Sequence, residues 1–196
     1  MLKVGITGGI GSGKTIVCNV FELLGIPVYY SDEESKGLLD NNAVVKENVL
    51  KIFGNDILTD SGIIDRKKLS ALVFEDKTKL QQLNAIVHPA VAKHFDEWVK
   101  LHATGNYILK EAAILFESGA DKQVDTVITV TAPLELKIQR AISRDKISKE
   151  QVEQRMSNQW TDEKKIKLSE FVIYNDEDQM LIPQVLKIHE LLSAKK

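Results

Sequence analysis

Eight residues near the amino terminus, "GGIGSGKT" from Gly8 to Thr15, restrict this chain more than any other segment. They satisfy the pattern G-x-x-x-x-G-K-[ST], and they sit where that pattern has a mechanism. The preceding "LKVGIT" reads as a short buried strand. The following "KTIVCNVFELLG" repeats apolar residues at Val17, Val20, Phe21 and Leu24 with helical spacing, and Gly25 supplies a stop. A strand that curls through glycines into a helix aims successive backbone N–H groups, and the helix's positive end, at one point. A phosphate chain fits there. Gly9, Ile10, Gly11, Ser12 and Gly13 would supply the amides, and Lys14 a cation between the β- and γ-phosphates. Thr15 would offer a hydroxyl to the magnesium ion that travels with a nucleoside triphosphate. Composition alone yields the pattern by accident in roughly one chain of this size in a hundred.

The remaining chain alternates strand and helix signals. "IPVYY" (Ile26–Tyr30), "YIL" (Tyr107–Leu109), "TVITVT" (Thr126–Thr131) and "FVIY" (Phe171–Tyr174) are short, branched or aromatic runs flanked by helical stretches. Together with the first strand they predict an α/β fold: a five-stranded parallel sheet of P-loop NTPase type with helices on both faces. Two segments exceed a simple crossover. Residues 32–105 show helical periodicity without a strand signal and read as an inserted helical substrate domain, with "NDILTDSGIIDRKKL" as its polar, turn-rich stretch. Residues 133–167 are dense in charge and read as a helical lid. That leaves 1–31, 106–132 and 168–196 for the nucleotide-binding core. Its last helix, near 178–194, should pack on the sheet through Ile182, Val185, Ile188 and Leu192.

Composition narrows the possible partners. With 196 residues, 43% hydrophobic and 28% charged, the chain can bury one full core. A formal net charge of −2 provides no general attraction to nucleic acid or an anionic membrane, so an anionic ligand must be held by a local cluster of cations. Neither nucleic acid nor membrane is expected as a partner; a monomer or weak homo-oligomer is. Cys18 stands alone, which rules out an intrachain disulfide and a cysteine-based zinc site, and its apolar helical run makes it buried filler. The first strand has no secretory leader before it and no apolar run reaches membrane length, so the expected compartment is the cytoplasm.

A phosphate loop serves switches and kinases alike. A guanine-nucleotide switch needs D-x-x-G and N-K-x-D, and neither tetrapeptide occurs here. A kinase needs an acceptor pocket, a base and cations over the transferred group. Asp32 follows the second strand, at the sheet edge where ligands bind in open parallel sheets. It could take a proton from an attacking hydroxyl or hold a magnesium-bound water; equally, Ser31 or Asp32 could cap the next helix. Lys137, Arg140 and Arg144 recur at helical spacing and share a face, and Arg155 and Gln159 share another. Surface helices often carry such charges without function, but arginines on a lid are also how a kinase stabilises charge on a moving phosphoryl group.

These pieces occur in a specific order: "TGGIGSGKT", Asp32, "DRKKL", "IVHP", "ILFESG", "TAPLELKIQRAISRD" and "VIYN". In that order, over nearly the whole chain, they resemble the dephospho-coenzyme A kinases. The resemblance implies ATP-dependent phosphorylation of the ribose 3′-hydroxyl of dephospho-coenzyme A, the last step of coenzyme A synthesis, with ATP and magnesium as cofactors. By resemblance Asp32 is the general base, and Arg140 a catalytic arginine near the phosphates beside Lys14. Arg144 and Asn175 lie on the ATP side, with Asn175 beside the adenine. Arg66, His88, Phe116, Glu117 and Arg155 line the acceptor side. Read on their own residues, His88 before Pro89 is a helix-end structural histidine, Phe116 is core, and Glu117 is a solvated or capping carboxylate. The pattern also departs from the family. Tyr30 stands where a first aspartate is common, Glu111 is nearest another usual aspartate, and Lys146 replaces the glycine of an "RDG" turn. Asp32 and Glu111 therefore both remain candidates for the magnesium or its waters. A nucleoside or nucleotide kinase of similar fold is the alternative. A phosphate-bearing acceptor would call for arginines in the insertion, and Arg66 is the one arginine between Asp32 and Gly105.

Overall fold

The computed structural model describes residues 1–74, 76–102 and 105–195. They divide into two compact units, Met1–Tyr30 with Val99–Lys196, and Ser31–Trp98.

The first unit is built on five parallel strands, β1 (Leu2–Thr7), β2 (Val28–Tyr30), β3 (Tyr107–Glu111), β4 (Thr126–Thr131) and β5 (Phe171–Tyr174), in the order β2-β3-β1-β4-β5. Central β1 pairs with β3 on one side and β4 on the other, so Val4 and Ile6 are fully buried. Its carboxyl end delivers the chain to the Gly8–Thr15 loop and to helix α1 (Lys14–Leu23). Strand β2 starts two residues later than the apolar run "IPVYY" because Pro27 has no N–H to give; its carbonyl still accepts from Leu109 at 2.9 Å. Tyr30 and Ile6 both stand in register with Glu111, which puts that carboxylate between the carboxyl ends of β1 and β2.

In the second unit, α2 (Ser31–Asn41) follows β2 without an intervening residue, then α3 (Ala43–Phe53), α4 (Arg66–Phe74) and α5 (Lys77–His102), which runs on past Trp98. Asn42 caps α3 by accepting from Val45 N–H at 3.1 Å. The polar stretch between α3 and α4 makes a short 3-10 turn at Asn55–Ile57 and one antiparallel bridge, Leu58 to Ile64. Leu39, Val49, Ile57, Leu69, Val87 and Phe95 are among the residues buried in this unit.

The first unit then carries α6 (Leu134–Asp145), α7 (Lys149–Met156), α8 (Asp162–Lys167) and, after β5, α9 (Leu181–Ala194). Val17, Cys18 and Phe21 of α1 and Val185, Ile188 and Leu192 of α9 complete the core around β1, β3 and β4. Phe21 meets Tyr107 edge to face, with ring centroids 6.3 Å apart. Ile182 corrects the expected stripe: it is 56% exposed, and Leu181 packs instead, because 181, 185, 188 and 192 keep one face of the helix.

Candidate active site

The glycine loop has the conformation its pattern requires. Gly11 has φ 77° and Gly13 φ 94°, the left-handed region that glycine enters most cheaply. Space forbids a side chain as well: a methyl on Gly11 would lie 2.1 Å from the Lys137 carbonyl oxygen, and one on Gly13 would lie 2.0 Å from Asn175 Nδ2. The backbone N–H groups of Gly11, Gly13, Lys14 and Thr15 have no acceptor among the described residues. This is a set of donors at the positive end of α1, shaped for an anion.

Two side chains hold the loop from outside. Asn175, just beyond β5, donates from Nδ2 to the Ser12 carbonyl at 2.9 Å, while its own N–H binds Thr131 O at 2.8 Å. Gln159, between α7 and α8, accepts from Ile10 N–H through Oε1 at 3.0 Å. Lys14 Nζ lies 2.9 Å from Gly8 O and 3.8 Å from Glu111 Oε1, and both side chains are only 11% exposed. Cys18 lies in the same region, where burial above all raises its thiol far from the reactive range; its place is in the core.

The arginines divide between two anchors. Arg140 donates to Asn175 O at 2.9 Å and to Glu177 Oε1 at 3.2 Å. Arg144 and Arg155 both bind Asp145, at 2.7 and 3.0 Å, and the Arg144 hydrogen bond leads the effects that hold the Asp145 carboxyl below the usual range. Lys146, which ends α6, has φ 54°, so the turn keeps a glycine-like geometry with a lysine in it. Lys137 shares that helix with Arg140 and Arg144, but its side chain does not follow theirs. It is turned inward onto Asp162, which spacing alone could not reveal.

Phe116 is core, stacked on Trp160 with centroids 6.2 Å apart. Glu117 is not solvated. Its Oε1 accepts from Trp160 N–H at 2.7 Å and from Lys165 Nζ at 3.0 Å, and its Oε2 is buried without a partner. Lys165 is completely buried and also donates to Ala113 O at 2.7 Å; burial lowers its pKa, and Glu117 opposes that shift. Sequence reasoning missed Trp160, Asp162 and Lys165. Their one local signal was a charged helix start, and their partners lie 25 to 52 residues away. A cleft of about 820 Å³ borders this region, lined by Gly9, Lys137, Gln159, Trp160, Asp162 and Tyr174 among others.

The remaining candidates belong to the second unit. Asp32 lies in the first turn of α2 and is exposed; the helix begins at Ser31, so neither residue takes the capping position outside it. Ser31 Oγ is buried without a partner. Arg66 pairs with Asp40 and donates to Lys36 O at 3.4 Å. His88 stands inside α5 rather than at a helix end, because the helix continues through Pro89. It is half-buried, and burial lowers its pKa.

Among the described residues no cluster of three or more His, Cys, Asp or Glu side chains could hold a metal alone, and no helix is long and apolar enough to cross a membrane. The exposed Thr15 hydroxyl and the Glu111 carboxylate suit magnesium, which arrives on phosphate oxygens and keeps several waters.

Comparison with known proteins gives the family of the chain. The family model described as dephospho-CoA kinase matches residues 2–180. The dephospho-CoA kinase of Bacteroides fragilis is 42% identical over 99% of this chain and 98% of its own length, and that of Porphyromonas gingivalis is 39% identical over 100% and 96%. Among solved structures, a Thermus thermophilus protein superposes with a TM-score of 0.87 at 29% identity, covering 100% of this chain and 98% of its own. The dephospho-CoA kinase of Campylobacter jejuni gives 0.71 at 28%, covering 97% and 96%. Shikimate kinase of Acinetobacter baumannii, at 19% identity and a TM-score of 0.55, shares the fold. From its open phosphate loop to its carboxyl-terminal "VIYN", this chain belongs to the dephospho-CoA kinase family of transferases, P-loop kinases of coenzyme A biosynthesis.

Proposed function

We propose that the chain transfers the γ-phosphoryl group of magnesium-ATP to the ribose 3′-hydroxyl of dephospho-coenzyme A. The observation that carries the reading is the set of open N–H groups of Gly11, Gly13, Lys14 and Thr15, among the described residues, with the Lys14 ammonium beside it, inside a chain of this family. The amides and Lys14 bind the β- and γ-phosphates. Arg140 and Arg144 leave Glu177 and Asp145 for phosphate oxygens as the segment 133–167 closes as a lid. Thr15 would hold the magnesium, with Glu111 or Asp32 holding its waters, and the bound ion would neutralise charge on the phosphates. Asp32 orients the acceptor hydroxyl and takes its proton as the phosphoryl group departs in line. Residues 32–105 form the acceptor domain, and Arg66, His88, Phe116, Glu117 and Arg155 are the residues assigned to the acceptor. Asn175 borders the adenine. The enzyme acts in the cytoplasm, as a monomer or weak homo-oligomer.

The test offers magnesium-ATP with dephospho-coenzyme A, AMP or a nucleoside, and follows ADP. ADP with dephospho-coenzyme A alone is expected. ADP with AMP alone would make the chain a nucleotide kinase, and ADP without acceptor preference would make it a hydrolytic nucleotide-binding protein.

A further inference from the structure

Beyond the residues given roles above, Lys137 places a further cation against the phosphate loop. Lys137 precedes Arg140 by three residues on α6, yet its side chain is only 7% exposed and its ammonium is 2.6 Å from Asp162 Oδ2. Asp162, at the start of α8, also accepts from Thr131 Oγ1 at 2.5 Å. A methyl built on Gly9 would lie 3.3 Å from Asp162 Oδ1, 3.6 Å from Lys137 Nζ and 3.8 Å from Gln159 Oε1. Gln159 in turn accepts from the neighbouring Ile10 N–H. Side chains from α6, from α8 and from the link before α8 thus converge on the second and third residues of the motif.

A buried ion pair is weak evidence for stability, since removing two charges from water offsets most of their attraction. Its position is more informative. Lys14 points to Gly8 O and Glu111, Arg140 to Asn175 and Glu177, and Arg144 to Asp145. The Gly9–Ile10 side of the loop has its cation from Lys137. A lysine suits this place, because its compact charge sits on a flexible stem that can exchange one anion for another without repacking a plane.

We propose that Lys137 is a second phosphate-loop cation: Asp162 holds it beside Gly9 until a nucleoside triphosphate binds, and it then contacts the terminal phosphoryl group. Gln159 fixes that side of the loop by holding Ile10. No bond is made or broken in this step; the ammonium changes partner, and Asp162 keeps Thr131. The inference rests on the kinase reading above, but its first test needs nucleotide alone.

Calorimetry on the whole chain compares ADP with a non-hydrolysable ATP analogue for wild type, Lys137→Met and Asp162→Asn. Lys137→Met should weaken the analogue by about tenfold or more, the scale of one charge-assisted hydrogen bond, and ADP by less than about threefold. Asp162→Asn should retain wild-type discrimination between the two nucleotides. Turnover of dephospho-coenzyme A should fall with Lys137→Met and recover in part with Lys137→Arg. Equal weakening of both nucleotides, or a lower melting temperature with unchanged discrimination, would make Lys137 a structural strap and overturn the proposal. If Lys137→Met does not fold, Lys137→Gln, which can still hydrogen-bond Asp162, is read by the same criterion. A wild type that discriminates the nucleotides but does not phosphorylate dephospho-coenzyme A would sink the acceptor reading and leave this one standing.

Discussion

The Lys14 ammonium stands 3.8 Å from Glu111 Oε1, so the cation of the phosphate loop is already paired with the carboxylate at the end of β3. Thr15 lies one residue beyond Lys14 on the same helix, and the proposed reading therefore puts the magnesium waters on Glu111, with Asp32 as the alternative. Glu111→Gln should raise the magnesium concentration for half-maximal rate by about tenfold, the lower end for an outer-sphere partner. Asp32→Asn should leave it unchanged. Magnesium titration of both variants decides, and the reverse pattern would transfer the role to Asp32.

Glu117 and Lys165 form a deeply buried ion pair, with side-chain exposures of 11% and 0%. Removing one partner strands the other in a dry interior, at about 3–5 kcal/mol. Lys165→Met should therefore lower the melting temperature sharply. The double variant Glu117→Gln with Lys165→Met should recover part of the loss. A single variant within about 0.5 kcal/mol of wild type by denaturant titration would contradict this account.

Lys146 holds a left-handed conformation at φ 54° with a full side chain. Glycine accepts that geometry without the Cβ conflict, so Lys146→Gly should be neutral to stabilising, by up to about 1 kcal/mol. Chemical denaturation measures it. A clear loss would show that the lysine side chain, and not the turn, keeps α6 in place.

His88 predicts a pH dependence. Burial lowers its folded-state pKa below the unfolded value, so the unfolded chain binds the proton more readily. This contribution to stability is complete above the unfolded pKa and is lost as pH falls through the folded one. Acidification from neutral pH towards pH 5 should destabilise wild type more than His88→Gln, as followed by melting temperature. Parallel curves would remove His88 as a source of acid sensitivity.

The phosphate loop was legible because its pattern is local: Gly11 and Gly13 are dictated by φ and by close neighbours, and Lys14 and Thr15 follow them directly in the motif. The five strands were legible because both faces of the sheet are covered, which leaves continuous apolar runs. Direction across the fold was not. Helical spacing puts Lys137, Arg140 and Arg144 on one face but cannot say that Lys137 turns inward to Asp162, 25 residues on. The apolar run at Ile182 was one position out of step, because a single residue rotates a helix by about 100°. Pro89 looked like a helix end, while α5 passes through it. Glu117 looked solvated because Lys165 and Trp160, its partners, lie more than forty residues later.

The most direct test of the central claim compares Asp32→Asn with wild type in single turnover, with magnesium-ATP and dephospho-coenzyme A, alongside ADP binding by calorimetry. Phosphoryl transfer should fall by about 100-fold or more, the scale of general-base catalysis, with ADP affinity within about twofold of wild type. Transfer at the wild-type rate would contradict the account, because another group would then take the proton from the attacking hydroxyl.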